Sequence, residues 1–185
     1  MMIDPAPHSA HLARGRARLL LVEPNRSALT VMAKRMGEAG FRIIACDNPA
    51  NAAAEMHRAP VDLVLAELRR APISGIELTR RIRDDTVLRS TPIILITGKS
   101  DSAGAVDGFA AGADDVVAKP FHFEVLIARV ARRIARAQSE RELLDDKATL
   151  DARVVTRAIQ LGEMRVALEA SEAERIRLEL IVGRA

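Results

Sequence analysis

The sequence predicts an α/β fold, a doubly wound five-stranded parallel sheet with a long C-terminal α-helical extension. Three observations carry that expectation. The run Val61-Asp62-Leu63-Val64-Leu65-Ala66-Glu67-Leu68 is almost unbroken in its apolar character, as a strand buried on both faces must be. Four shorter runs of the same kind alternate with stretches of helical spacing at intervals of about 20 to 25 residues, the rhythm that right-handed crossovers impose. From Phe123 onward there is no Pro, Gly occurs only at Gly162 and Gly183, and Arg, Glu, Ala and Leu dominate, which is a helical composition.

The elements follow in order. Residues 18–23 form a first strand ending at Glu23-Pro24-Asn25, and residues 27–39 carry helical spacing at Leu29, Met32, Met36 and Ala39 before the helix stop Gly40. Residues 41–46 make the second strand. Asp47 or Asn48 caps a short Ala-rich helix with Pro49 in its first turn. The third strand, 61–68, lies between Pro60 and the polar loop Arg69-Arg70-Ala71-Pro72, and Ser74 then caps a helix carrying Ile76, Leu78 and Ile82, with Val87 a further candidate. Residues 92–97 give a fourth, β-branched strand. A Gly-containing helix starts at Asp101 or Ser102 and stops at Gly112, and the short strand 115–118 ends in Lys119-Pro120.

The final segment divides in two. Leu126, Ile127, Val130 and Ile134 form the stripe of a helix packed on a sheet. Beyond it, Leu143, Lys147, Leu150, Val154, Arg157, Leu161, Met164, Leu168, Ser171, Arg175, Leu178 and Val182 alternate at spacings of three and four, and eight of these twelve are apolar. This is an imperfect heptad pattern and predicts a coiled-coil helix; a helix folded back on the globular part is the alternative. The expected organisation is a disordered N-terminal tail over 1–15, a globular domain over 16–137 and a helical coiled-coil extension over 138–185.

Composition narrows the function. The chain has 185 residues and a net charge of +3, and its only aromatic residues are four Phe, so the core is built from Leu, Ile, Val and Ala. Arg supplies 24 of the 28 basic residues but is scattered in sequence, and with no nucleic-acid module or aromatic platform, nucleic acid is not an expected partner. The single Cys46 excludes an internal disulfide and has no metal or redox spacing, in keeping with a reducing compartment. The apolar stretch 19–22 is too short for a signal peptide or a membrane span, so the expected location is cytoplasmic, without membrane attachment.

The strand ends carry the chemistry. Strands one, three, four and five finish at Glu23, Glu67, Thr97 and Lys119, and a doubly wound sheet brings such positions to one crevice at its carboxyl edge. Two carboxylates, a hydroxyl and an ammonium there suit a phosphoryl group, which Lys can pair with and a hydroxyl can hydrogen-bond. A cis peptide at Lys119-Pro120 is one way to direct the ammonium inward.

With these residues in place the sequence resembles the receiver domain of two-component response regulators, a flavodoxin-like fold. The resemblance covers about 16–137 and rests on Leu-Leu-Leu-Val-Glu at 19–23, Asp-Leu-Val-Leu-Ala-Glu-Leu at 62–68, Ser-Gly-Ile-Glu-Leu at 74–78, Pro-Ile-Ile-Leu-Ile-Thr-Gly at 92–98 and Gly-Ala-Asp-Asp-Val-Val-Ala-Lys-Pro-Phe at 112–121. It implies that the position of Glu67 accepts phosphate from a histidine kinase as an Asp, that an acidic pair at the first strand end helps bind Mg²⁺, that Thr97 contacts the phosphoryl group and that Lys119 pairs with it. The departures matter. The acceptor position holds Glu67, the second acid of the pair is Pro24, the usual loop Pro falls at Ala71 with Pro72 one place later, and the aromatic switch position is Val116.

The extra methylene of Glu67 displaces the nucleophilic oxygen by about a bond length, and a misplacement of about 1 Å can cost roughly a hundredfold in rate. Phosphoryl transfer should be severely impaired. Pro24 offers no ligand, so Glu23 and Glu67 remain weak candidates and Mg²⁺ binding should be weak or absent. The expected function is an atypical, phosphorylation-independent receiver that signals through a protein partner, dimerises through its C-terminal helix and turns over no substrate. Two alternatives stand beside it: a phosphorylatable receiver fragment of a larger regulator with a cyclase, phosphodiesterase or kinase output, and a cyclic-dinucleotide-binding protein using Arg69, Arg70, Arg80, Arg81 and Arg83.

Overall fold

The structure, a computed structural model, describes residues 16–68 and 74–182, with the side chains of 49, 50, 174 and 178–182 excepted. The expected N-terminal tail and the loop positions Arg69, Arg70, Ala71 and Pro72 lie outside the described residues. Strands and helices alternate as β1 (Arg18–Val22), α1 (Arg26–Glu38), β2 (Arg42–Cys46), α2 (Pro49–Arg58), β3 (Leu63–Glu67), α3 (Gly75–Asp84), β4 (Ile93–Thr97), α4 (Ser102–Ala110), β5 (Asp115–Ala118) and α5 (Phe123–Val182). The sheet is parallel throughout, in the order β2-β1-β3-β4-β5. Residues to Gln138 form one compact unit and those from Ser139 a second.

Side-chain alternation in the sheet builds a core on each face. Leu20, Val22, Val64, Ala66, Ile93 and Leu95 face one way and pack with Met56 of α2 and Leu78 and Ile82 of α3. Leu19, Leu21, Leu63, Leu65, Ile94 and Ile96 face the other way and pack with Met32 and Met36 of α1 and Leu126, Val130 and Ile134 of α5. With both faces covered, β1, β3 and β4 are apolar at almost every position, which is why their sequences show no alternation.

The helix ends follow local chemistry. Asn25 caps α1 by accepting from Ala28 N–H, Ser74 caps α3 through Glu77 N–H, and Asp101 caps α4 through Gly104 N–H. Gly40 and Gly112 take positive φ just after α1 and α4, where an L side chain would be strained.

Two expectations about element limits need correction. β3 begins at Leu63 rather than Val61, because Asp62 turns its carboxylate onto Arg18 N–H while its own N–H bonds Arg18 C=O. Val87 does not belong to α3: the Asp85 carboxylate accepts from Val87 and Leu88 N–H, turning the chain so that Leu88 is buried and Val87 is exposed.

In the second unit, α5 residues from Ser139 to Arg177 are exposed wherever their side chains are described, including the seam positions Leu143, Leu150, Val154, Leu161, Met164 and Leu168. Leu178 and Val182 of that pattern have side chains outside the described set. No described helix is long and apolar enough to cross a membrane.

Candidate functional site

The carboxyl edge of the sheet gathers Glu23 directly after β1, Glu67 at the end of β3, Thr97 at the end of β4 and Lys119 directly after β5. Their backbones are in register: Glu67 is paired with Ile96, Thr97 with Ala118, and Lys119 N–H bonds Thr97 C=O at 2.8 Å. The peptide bond from Lys119 to Pro120 is cis.

Three of the four side chains meet. The Lys119 ammonium donates to Glu67 Oε2 at 2.5 Å and to Glu23 Oε2 at 3.2 Å. The other oxygen of Glu23 accepts from Asn25 N–H at 2.9 Å, so the Pro24 turn is closed over its own carboxylate. The two carboxylate side chains are 3% and 10% exposed, whereas that of Lys119 is 37% exposed. One ammonium is thus shared between two buried carboxylates.

That imbalance sets the protonation behaviour. Burial pushes the Glu67 carboxyl above its ordinary range; the hydrogen bond and charge of Lys119 oppose this without cancelling it, and the negative charge of Glu23 adds to it. Burial lowers the Lys119 ammonium, but hydrogen bonds and charges from Glu67 and Glu23 outweigh it and leave the group above its ordinary value. The two directions are compatible because Lys119 has two carboxylates while Glu67 has only a share of one cation.

Thr97 is at the same edge but in a different set of contacts. It shares the parity of Ile93 and Leu95, the side of α2 and α3, and its buried hydroxyl donates to Asp101 Oδ2 at 3.0 Å. Asp101 is the residue that sequence reasoning missed: it was legible as a helix start, while its hold on Thr97 across the β4–α4 loop was not. Val116 shares the parity of Val22, Ala66 and Leu95, and a side-chain carbon added at Gly108 of α4 would meet it at 3.4 Å.

Gly75 was also missed as a determinant. A side-chain carbon there would stand 2.4 Å from the Glu67 carbonyl oxygen, so α3 starts directly against the backbone that carries the acidic residue.

Of the arginines of the second alternative, Arg69 and Arg70 lie outside the described residues. Arg81 pairs with Glu77 at 2.7 Å one turn back on α3, and Arg80 is exposed. Arg83 is structural. Its guanidinium donates to Gly112, Arg89 and Thr91 carbonyls and to Asp114 Oδ2, and Asp114 in turn accepts from Ile93 N–H, so this network ties α3 to the sheet.

The comparisons with known proteins agree with this architecture. Response regulator ArlR of Staphylococcus haemolyticus (strain JCSC1435) is 43% identical over 84 residues, which are 45% of this chain and 36% of that protein. ArlR of Staphylococcus aureus (strain Mu50 / ATCC 700699) is 44% identical over the same shares. The chain therefore spans about a third of the length of these curated relatives. The receiver domain of a signal transduction histidine kinase from Syntrophus aciditrophicus superposes with a TM-score of 0.60 at 26% identity, over 64% of this chain and 90% of that one. Chemotaxis response regulator CheY4 of Vibrio cholerae, at 23% identity and a TM-score of 0.60, covers 64% of this chain and 99% of its own and shares the fold. Residues 19–131, more than half of the chain and all the strands that build the crevice, match the response regulator receiver domain, and the protein belongs to that family of signal-transduction modules.

Proposed function

We propose that the protein is an atypical receiver whose signalling does not depend on phosphorylation, acting through protein contacts rather than turnover. The observation that carries this reading is the pair of hydrogen bonds from Lys119 to Glu67 and Glu23. Lys119, the partner expected for a phosphoryl group, is already engaged by a carboxylate of the chain itself. An attacking oxygen of Glu67 would have to leave that ammonium, and it stands on a side chain one methylene longer than the acceptor the family uses.

The donor set does not fit Mg²⁺. A hard dication requires several oxygen ligands in near-octahedral geometry. Here both carboxylates converge on a cation already, Pro24 brings no donor, and among the described residues no group of three or more His, Cys, Asp or Glu is placed to hold a metal. This supports weak or absent binding.

The exposed apolar seam of α5 supports the second half of the reading, a parallel homodimer through residues 138–185. Leu143, Leu150, Val154, Leu161, Met164 and Leu168 are each at least 59% exposed, and a stripe of that length needs a partner to leave water. Lys147, Arg157, Ser171 and Arg175 at seam positions make the coil weak, and flanking acids such as Glu163, Glu169 and Glu172 can offset the basic ones between chains.

Incubation of the intact chain with millimolar acetyl phosphate and Mg²⁺ tests the reading. No mass increase of one phosphate is expected; a stoichiometric, acid-labile adduct that disappears in Glu67→Ala overturns it.

A further inference from the structure

The start of α1 and the segment that follows β5 line one groove of about 590 Å³ within the first unit. Most of its lining is apolar: Ala28, Val31 and Met32 from α1, and Pro120, Phe121 and Phe123 from the other side. Ala28, Val31 and Met32 follow at i, i+3 and i+4, a spacing that places them along one side of the helix. Phe121 and Phe123 form an edge-to-face pair, with ring centroids 5.5 Å apart, which fixes both rings. Val31 is 52% exposed, so this apolar surface is open to water.

One end of the groove is polar. Lys119 and Asn25 line it and meet at Glu23, whose two carboxylate oxygens accept from the Lys119 ammonium at 3.2 Å and from Asn25 N–H at 2.9 Å. An ammonium has three N–H bonds, and among the described residues Lys119 uses two of them, on Glu23 and Glu67. The side-chain oxygen of Asn25 is taken by Ala28 N–H at the helix cap, which leaves its amide N–H groups as donors. What this end offers a ligand is therefore hydrogen-bond donation.

Its charge disfavours ions of either sign. The Lys119 side chain is 37% exposed and the two carboxylates it holds are 10% and 3% exposed, so a cation meets the ammonium first. An anion drawn to that ammonium is opposed by both carboxylates, and the cost of taking it out of water goes uncompensated. A neutral acceptor carries neither penalty.

We propose that this groove binds a small neutral molecule with a flat apolar body and a hydrogen-bond acceptor at one end. The body packs on Val31, Met32 and the two Phe rings, and the acceptor takes an N–H of Lys119 or Asn25. The volume falls in the range of small-ligand sites, roughly 300–1,000 Å³, and an apolar lining with a few polar groups that fix orientation is their usual composition.

Methyl 2-naphthoate and 2-naphthoate differ in charge at one end and little in shape, and the chain has no Trp or Tyr to obscure naphthalene fluorescence. Titrated into the intact protein at neutral pH, the ester is expected to bind at one molecule per chain, and the carboxylate more weakly by about tenfold or more. Val31→Glu places a charge in the apolar lining at an exposed position and should weaken the ester by about tenfold or more, whereas Val31→Leu should stay within about threefold of the wild type. Leu161→Ala, on the exposed stripe of α5, should bind the ester like the wild type. The proposal is overturned if the ester does not bind up to its solubility limit, if the carboxylate binds as tightly, or if Val31→Glu leaves ester binding unchanged. Loss of ester binding in Leu161→Ala overturns it in favour of the α5 stripe, and a Val31→Glu variant that alters light scattering while still binding the ester overturns it in favour of a second copy of the chain.

Discussion

One helix contains two fates for the same residue types. In the first turns of α5, Leu126, Val130 and Ile134 are 0%, 0% and 5% exposed; beyond them Leu143, Leu150 and Val154 are 68%, 59% and 67% exposed. Spacing and residue type are alike in the two regions, so neither determines burial. What differs is the presence of a partner surface: the first stripe packs with Leu21, Leu65, Ile94 and Ile96 of the sheet. The second is a stripe of the same spacing whose described side chains are exposed.

Truncating one residue in each region gives the largest contrast. Leu126→Ala should destabilise the globular unit by about 3 kcal/mol through lost burial and a residual cavity, read from chemical denaturation. Leu161→Ala should leave that unit's stability within about 0.5 kcal/mol and instead shift light scattering toward monomer. An intact chain that scatters as a monomer at tens of micromolar would remove the dimer from consideration and favour a helix that folds back.

The charge cluster is expected to respond less. Lys119→Met leaves Glu23 and Glu67 buried without their cation. Breaking a fully buried pair costs about 3–5 kcal/mol, and the 37% exposure of the Lys119 side chain reduces this to about 2–3 kcal/mol. A loss under about 0.5 kcal/mol would show that solvent rather than Lys119 satisfies the carboxylates.

Glu67→Gln should behave in the opposite sense. The folded-state carboxyl lies above its ordinary 4.5, so its contribution to stability is present below that pH and is lost as pH rises through the raised value. At pH 7 the ionised group is a net cost, and the Gln variant should match or exceed the wild type in stability. Its advantage should vanish as pH falls toward 4.5; an advantage that grows on acidification contradicts the assignment.

The other side of the crevice should respond less than the loss of Lys119. Thr97→Val removes the hydroxyl that bonds Asp101 and should cost about 1 kcal/mol. Asp101→Ala removes that acceptor and the α4 cap together, for about 1–2 kcal/mol by thermal denaturation. If Thr97→Val costs as much as Lys119→Met, the two sides are not separate in the way their contacts indicate.

Much of the fold was legible before any coordinates. Strands buried on both faces write themselves as uninterrupted Leu, Ile and Val, and side-chain caps such as Ser74 mark helix starts, because both signals are local. The convergence of Glu23, Glu67 and Lys119 was legible too, since strand ends of a doubly wound sheet lie along one edge. Thr97 was placed with them for the same reason, but its hydroxyl belongs to Asp101. An unbroken apolar strand conceals its own parity, and only the register shows which side each end residue joins.

By itself, then, the sequence determined the order of strands and helices, the acidic residue that ends the third strand and the apolar pattern of the last segment, all of which depend on residues near one another in the chain. The tertiary structure decided that one ammonium serves two carboxylates, that Arg83 is a structural tie, and that the start of α1 and the segment after β5 line one groove. Those outcomes rest on distances between residues as far apart as Glu23 and Lys119, and only packing of the completed sheet and helices sets such distances.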